Sequence, residues 1–335
     1  VTALPWSQEL LRKSDLITPM AIRVAATLRL SDHMAAGVRS PAALARATGT
    51  DADALGRLLG HLVSADVYRR GDDGTYETTE LGTSLRGDVP DSGREWLELD
   101  GPIGRGELAF LRLLDAVRTG ESVYTTAYGQ DFWSDVEADQ RLADSFARRM
   151  AAGLTWVLPE LLARGDWSGV RRVVDVGGGS GALLAAVVGA HPAMRGTLLD
   201  LAAPAAAARE RFAAAGLQDR CSGVTGSFFD PLPPGADVYL LSNVLLNWDD
   251  DRAAAILRRC AEAAAPAGRV LVLEGLLDVQ TDQTDLDLRM LVYLDGRMRT
   301  SRELDALAAA AGLRRTRLTD LRSMRSLAEY VPDPS

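Results

Sequence analysis

Apolar positions in this chain change their spacing near residue 170, and the change divides it in two. Upstream the spacing is helical. Pro19–Leu28 is apolar nearly all round, which predicts a helix that is buried or packed against a partner. Ser40-Pro41 sets a cap and a first-turn proline ahead of a helix over 42–48, which Gly49 stops. A second helix opens at Asp51 or Asp53 and aligns Leu55, Leu58, Leu59 and Leu62 on one face. Val67–Arg70 and Tyr76–Thr79, joined by Gly71-Asp72-Asp73-Gly74, read as a β-hairpin. Helix, turn, helix and hairpin in that order make a winged-helix unit. Residues 91–165 stay helical, and their aromatics (Trp96, Phe110, Phe132, Trp133, Phe146, Trp156) are expected mostly in core, some lining a cavity between domains.

Downstream, short apolar runs alternate with helical stretches. Arg172–Val176, Gly196–Asp200, Cys221–Gly226, Val238–Ser242 and Arg269–Glu274 read as strands. Ala182–Ala190, Ala203–Ala215 and Arg252–Ala265 read as the helices between them. Such alternation means parallel strands with crossover helices, a doubly wound α/β sheet. A length of 335 residues exceeds the roughly 250–300 at which single cores stop growing. The expected division is a winged-helix domain over 1–90, a helical linker and cavity region over 91–165, and an α/β domain over 166–335.

Composition narrows the function. A net charge of −9 speaks against nucleic acid and anionic membrane surfaces as partners. The winged helix invites a DNA-binding reading, but its second helix offers Arg57 and His61 beside two aspartates, so dimerisation is the better use of the unit. The only cysteines, Cys221 and Cys260, fit a reducing compartment. The opening VTALPWSQELLRK lacks a signal-peptide core, and no run reaches the length of a membrane span, so a cytoplasmic location is expected. There is no Cys/His cluster, and Asp249-Asp250-Asp251 reads as a solvated helix start, so no metal is expected.

The chemistry concentrates after the first α/β strand, where Val173-Val174-Asp175-Val176 runs into Gly177-Gly178-Gly179-Ser180-Gly181 and then a helix. Glycine permits a tight turn and close ligand approach, and the helix start offers free N–H groups. Taken alone, the pattern also suits a dinucleotide. Asp175 is placed to organise the loop or to accept from a ligand ammonium group. Asp200, ending the next strand, suits two ribose hydroxyls. Ser227-Phe228 after the third strand sets a polar residue beside an aromatic, as an adenine pocket needs.

With these residues in view, segment 171–277 resembles the methyl-donor core of class I methyltransferases. The whole chain, winged helix included, resembles the dimeric O-methyltransferases of plant phenolics and bacterial polyketides. LSNVLLNWDDD, SFFDPLP and DLRMLV are most similar to anthracycline-type enzymes. The resemblance implies a Rossmann-like methyltransferase domain after an all-helical winged-helix dimerisation domain, S-adenosylmethionine as cofactor, a homodimer and a small aromatic substrate. It carries cofactor contacts to Asp175, Gly177, Gly179, Asp200, Phe228 and Ser242, with Gly181 and Ser227 in the same loops and Met150 packed near the donor. Trp133, Asn247, Arg289, Met290, Tyr293, Arg297 and Met298 become candidates for the acceptor cavity.

The chain departs from the family pattern at two places. Ser227 stands where an acidic residue usually meets the adenine amino group, which implies weaker anchoring. Leu246 of Leu246-Asn247-Trp248 stands where many relatives carry the histidine that deprotonates the substrate. His33, His61 and His191 lie elsewhere and read as surface or packing residues. The remaining catalytic candidates are Asn247, as an orienting group or as the cap of the following helix, and Glu274, as a base or as an orphaned partner of the missing histidine; Asp249 is a further acidic candidate. Methyl transfer by proximity to an acidic hydroxyl is expected, with a sulfonium-assisted decarboxylation, hydroxylation or rearrangement as the alternative. A DNA-binding ligand sensor is a third reading, which the charge disfavours.

Overall fold

The computed structural model describes residues 6–90, 92–322 and 324–333. Residues 1–5, part of the opening read above for a leader, lie outside the described residues. The chain forms two compact units that divide between Leu108 and Ala109.

The first unit is helical apart from one hairpin, β1 (Tyr68–Arg70) against β2 (Tyr76–Thr78). Its helix starts follow the capping chemistry. The Ser40 side chain accepts from Ala43 N ahead of helix Pro41–Thr48, and Asp51 from Ala54 N ahead of helix Ala52–Ser64. Leu44, Leu55, Leu59 and Leu62 are buried with Tyr68 and Tyr76. Helix Ile17–Thr27 buries Ala21, Ala25 and Ala26 but leaves Ile17 exposed, so it is buried on one side rather than all round. Segment 92–108 belongs to this unit: Arg94 Nη1 donates to Asp32 Oδ2 at 2.7 Å, and Arg23 pairs with Glu107 at 2.7 Å.

The second unit opens with short helices and closes on a seven-stranded sheet. The strands are β3 (Arg172–Val176), β4 (Arg195–Asp200), β5 (Cys221–Thr225), β6 (Val238–Ser242), β7 (Arg269–Glu274), β8 (Leu313–Asp320) and β9 (Ser326–Pro332). Their order is β5-β4-β3-β6-β7-β9-β8. The first five are parallel, and β9 and β8 are antiparallel additions. Helices on both faces explain why Val238–Leu241 is buried at every position. The five strands and three helices predicted here stand within two residues of their expected ends. The terminal hairpin had no counterpart in the sequence reading.

The aromatic expectation divides. Phe132 is buried and meets Trp133, Phe146 and Tyr293 ring to ring at 5.2–5.9 Å. Trp96 and Trp156, two of the aromatics expected mostly in core with some at a cavity, are exposed, Trp156 by 65%. The elements holding them are too short to bury every side: Leu154–Trp156 is one 3₁₀ turn that sinks Leu154 alone.

Candidate active site

Strand order reverses at β3, which pairs with β4 on one side and β6 on the other. Ligands of doubly wound sheets bind in the crevice beyond the strand ends at such a point. Gly177 follows the end of β3, Asp200 ends β4, Ser242 ends β6 and Glu274 ends β7, so the sheet gathers these four at one edge.

The loop after β3 turns three times through left-handed backbone, at Gly177 (φ 70°), Gly179 (58°) and Gly181 (74°), a region that residues with a Cβ enter at a cost. A Cβ on Gly177 would stand 3.0 Å from Val244 and 3.4 Å from the Phe228 ring. One on Gly178 would stand 2.5 Å from an Asp175 oxygen. One on Gly179 would meet nothing within 4 Å, so that face of the loop lies open for a ligand. Asp200 steadies the loop, its Oδ2 accepting from Gly179 N and its Oδ1 from Leu201 N, at 2.8 and 2.7 Å. Burial raises the Asp200 pKa against the pull of those two N–H groups.

Asp175 is fully buried, and neither carboxyl oxygen has a hydrogen-bond partner among the described residues. Burial, helped by the Asp200 charge, pushes its pKa up to about 7. A buried acceptor pair without donors is costly and marks a place for a cationic or donor-bearing ligand. On the far wall Phe228, Phe229 and Trp248 form an edge-to-face cluster with centroids 5.0–5.9 Å apart. The Ser227 hydroxyl accepts from Phe229 N at 3.2 Å, so it shapes the turn that presents Phe228.

Next to this pocket, residues 243–248 form a turn held from outside. Glu274 is 5% exposed, and its Oε1 accepts from Leu245 N at 2.6 Å and from Leu246 N at 3.3 Å. Burial pushes Glu274 up to about 7, opposed by Arg299 and these amides. Arg299, 3% exposed, donates to Leu245 O (3.0 Å), Trp248 O (2.8 Å) and Asp250 Oδ1 (2.9 Å). Asn247 Nδ2 donates to Asn243 O at 2.9 Å, across a residue with φ 53°. The cap of helix Asp250–Ala264 is Asp249, which accepts from Arg252 N at 2.8 Å, and this corrects the alternative that Asn247 caps it. Leu246, at the usual histidine position, is buried.

The remaining candidates scatter. Trp133 and Tyr293 converge on Phe132, and Met290 is buried on helix Thr284–Leu294. Arg289 pairs with Asp285 one turn away. Arg297 is exposed and pairs with Glu303 (2.6 Å) and Asp250 (3.6 Å), on an open depression with Asp249, Asp287 and Asp295. Met150 is partly buried near the end of helix Gln140–Gly153. His61 bonds Thr18, and His191 lies 5.8 Å from the Trp167 ring ahead of β4, at the edge opposite the glycine loop. Arg299, Arg325 and Val244 were missed. No motif marks them in a chain whose basic residues are nearly all arginine, and only the strand-end geometry brings them to the site.

A family model described as the O-methyltransferase domain matches residues 110–314, and one described as the O-methyltransferase dimerisation domain matches residues 13–87. The chain belongs to the O-methyltransferase family. It is 49% identical over 300 residues, 90% of each chain, to a 2,7-dihydroxy-5-methyl-1-naphthoate 7-O-methyltransferase of Streptomyces carzinostaticus. It is 48% identical over 307 residues, 89% of this chain and 82% of the other, to aclacinomycin 10-hydroxylase RdmB of Streptomyces purpurascens. It also matches a crystal structure of an O-methyltransferase (NcsB1) from neocarzinostatin biosynthesis in complex with S-adenosylmethionine and 2-hydroxy-5-methyl naphthoic acid. That match has a TM-score of 0.93 and 46% identity, covering 99% of this chain and 100% of the other.

The cofactor is therefore S-adenosylmethionine, and the first unit is a homodimerisation domain, with Leu10, Leu11, Leu16 and Ile17 as exposed apolar surface. The pocket fits the donor by its own geometry: an open glycine loop, an unpartnered buried carboxyl and an aromatic wall. No helix among the described residues is long and apolar enough to cross a membrane.

Proposed function

We propose that this enzyme methylates a phenolic hydroxyl of an aromatic polyketide-like acceptor by orientation, without a histidine base. Bound at the glycine loop, S-adenosylmethionine supplies an electrophilic methyl group on a sulfonium. Asp175, Gly177, Gly179, Gly181 and Asp200 hold the donor; Ser227, Phe228 and Ser242 shape its walls, and Met150 lies against it. Trp133, Met290 and Tyr293 line the acceptor side, with segment 109–165 supplying its helices; Arg289 and Arg297 belong at its rim.

The observation that carries the reading is the fate of Glu274. Its Oε1 accepts from both the Leu245 and Leu246 amides, which supports a role in building the turn over that of a base on the acceptor. With Leu246 beside it, the turn orients an acceptor that ionises by its own acidity, and alignment with the methyl supplies much of the rate. Asn247, tied to Asn243 O, presents its remaining amide oxygen at the turn.

Turnover of a series of naphthols differing in acidity tests this. The pH at which the rate half-rises should follow the acidity of each naphthol; a midpoint fixed across the series would demand a protein base. A second reading, non-methylating use of the sulfonium, draws support from the 48% identity to a protein named as a hydroxylase, and a product of unchanged methyl count would favour it. Two buried free cysteines suit a reducing compartment, and we place the enzyme in the cytoplasm.

A further inference from the structure

Two described residues just ahead of β9 hold an unfavourable backbone. Arg322 (φ 53°) and Met324 (φ 64°) both take left-handed backbone, which costs on the order of 1 kcal/mol or more at each non-glycine position. Three contacts hold the described residues around them. Leu321 N donates to Arg325 O at 3.0 Å, Gln283 Nε2 to Met324 O at 2.7 Å, and Gln280 Nε2 to Ser326 Oγ at 3.1 Å. The residue so positioned is Arg325.

Ser326 pairs with Glu274 across β9 and β7, so Arg325 stands one residue past the strand end, on the side where the site forms. Its side chain crosses the end of β7 and brings Nη1 to 3.4 Å from Ser242 Oγ at the end of β6. That bond is long, and it is the one the side chain makes among the described residues. Among the described residues no carboxylate lies within ion-pair distance of it; Glu274, the nearby acid, turns its Oε1 to the turn amides. Burial draws the Arg325 pKa down to about 10, with the Glu274 charge opposing. A partly buried guanidinium whose fork of donors is almost unspent calls for an anionic oxygen pair, the geometry a carboxylate offers.

Two carboxylates can reach such a site, the acceptor's and the amino-acid end of the donor. Strand order separates them. The glycine loop and Asp200, given above to the donor, follow β3 and end β4. Arg325 instead reaches over β7 to Ser242, which borders the donor wall on one side and leads directly into the acceptor turn at 243–248 on the other. We propose that Arg325 is a specificity residue that binds a carboxylate on the aromatic acceptor, and that the enzyme therefore takes hydroxyarene carboxylic acids in preference to the matching phenols. This rests on the hydroxyarene reading above and adds the acid group to it.

The test is calorimetric titration of the full-length enzyme, saturated with S-adenosylhomocysteine, with 2,7-dihydroxy-1-naphthoic acid and with 2,7-dihydroxynaphthalene. The wild type should bind the acid at least tenfold more tightly. Arg325→Met should erase that preference while S-adenosylhomocysteine affinity stays within twofold, which reports an intact site. Arg325→Lys should recover part of it. Equal wild-type affinity for acid and diol overturns the inference alone, and so does a preference that survives in Arg325→Met. Equal weakening of both ligands in that variant assigns Arg325 to a phenolate, and loss of S-adenosylhomocysteine affinity assigns it to the donor; either overturns the inference. A wild type that takes up S-adenosylhomocysteine but neither naphthalene overturns the hydroxyarene reading itself.

Discussion

The two sides of the crevice are built by different means. On the donor side, backbone does most of the work: three left-handed glycines, a carboxylate clamping Gly179 N, and a buried acid beneath the loop. On the acceptor side, side chains from distant segments hold a single turn, with Glu274 on its amides and Arg299 on its carbonyls. Backbone geometry tolerates few residue types, so the donor side has little freedom to vary. A turn whose backbone is held from outside does not depend on the identity of each of its side chains for its shape, although Val244, Leu245 and Leu246 are themselves buried.

Gly178→Ala should break the donor side most severely. The new methyl would overlap an Asp175 oxygen and Leu198, so donor binding should fall by about 100-fold, with about 1–3 kcal/mol lost from stability. Calorimetry with S-adenosylhomocysteine and a denaturant melt read the two effects. Asp200→Asn leaves one acceptor oxygen for the two N–H groups and sets its NH2 against the other; donor affinity should drop by about 10–100-fold and the stability read by the melt should fall by about 1–3 kcal/mol. The mirror experiment is Arg299→Met. It should cost about 3 kcal/mol and slow turnover by about tenfold, while donor affinity holds within twofold. Equal damage to donor binding would erase the distinction between the sides.

Buried acids sharpen the comparison through pH. Asp175 and Glu274 are both raised to about 7 in the folded chain. Between the ordinary carboxylate range near 4 and that value, the folded protein keeps a proton that the unfolded chain has released. Stability without ligand should therefore fall as pH rises through that window, by up to about 1.4 kcal/mol per unit for each acid, and level off above it. Thermal midpoints from pH 5 to 8 should show the slope, and Asp175→Asn and Glu274→Gln should each flatten it. The smallest effect belongs to Asn247→Ala, which removes one neutral hydrogen bond worth about 1 kcal/mol; turnover should change by less than about fivefold.

The geometry of the glycine-loop side was legible in the sequence because its physics is local. Val173–Gly181 carries strand, turn and helix start in one run, and Asp200 and Phe228 follow at the ends of the next strands. Parallel strands buried on both faces also announce themselves as apolar runs, which is why their limits came out nearly right. The hairpin of β8 and β9 was not assigned, since Leu313–Asp320 mixes arginine, threonine and aspartate with its apolar residues. On the other side Glu274 and Asn247 were named from the sequence, but how they are held stayed hidden for a related reason. Glu274, Arg299 and Arg325 gain their roles only when β6, β7 and β9 lie together, and nothing local in the sequence marks that adjacency. Asn247 was open to two readings until the neighbouring Asp249 was seen to hold the helix cap.

The turn at 243–248 carries a consequence for how such enzymes diversify. Its conformation is fixed by Glu274 and Arg299 and by the close approach of Gly296, where a Cβ would stand 2.2 Å from Leu246 O. None of these contacts reads the side chain at 246. A lineage could therefore lose or regain a residue there by a single substitution while inheriting the same backbone, at the packing cost of exchanging one buried side chain for another. Position 246 is in that sense a replaceable part, and a histidine introduced there would arrive on a backbone already set to receive it.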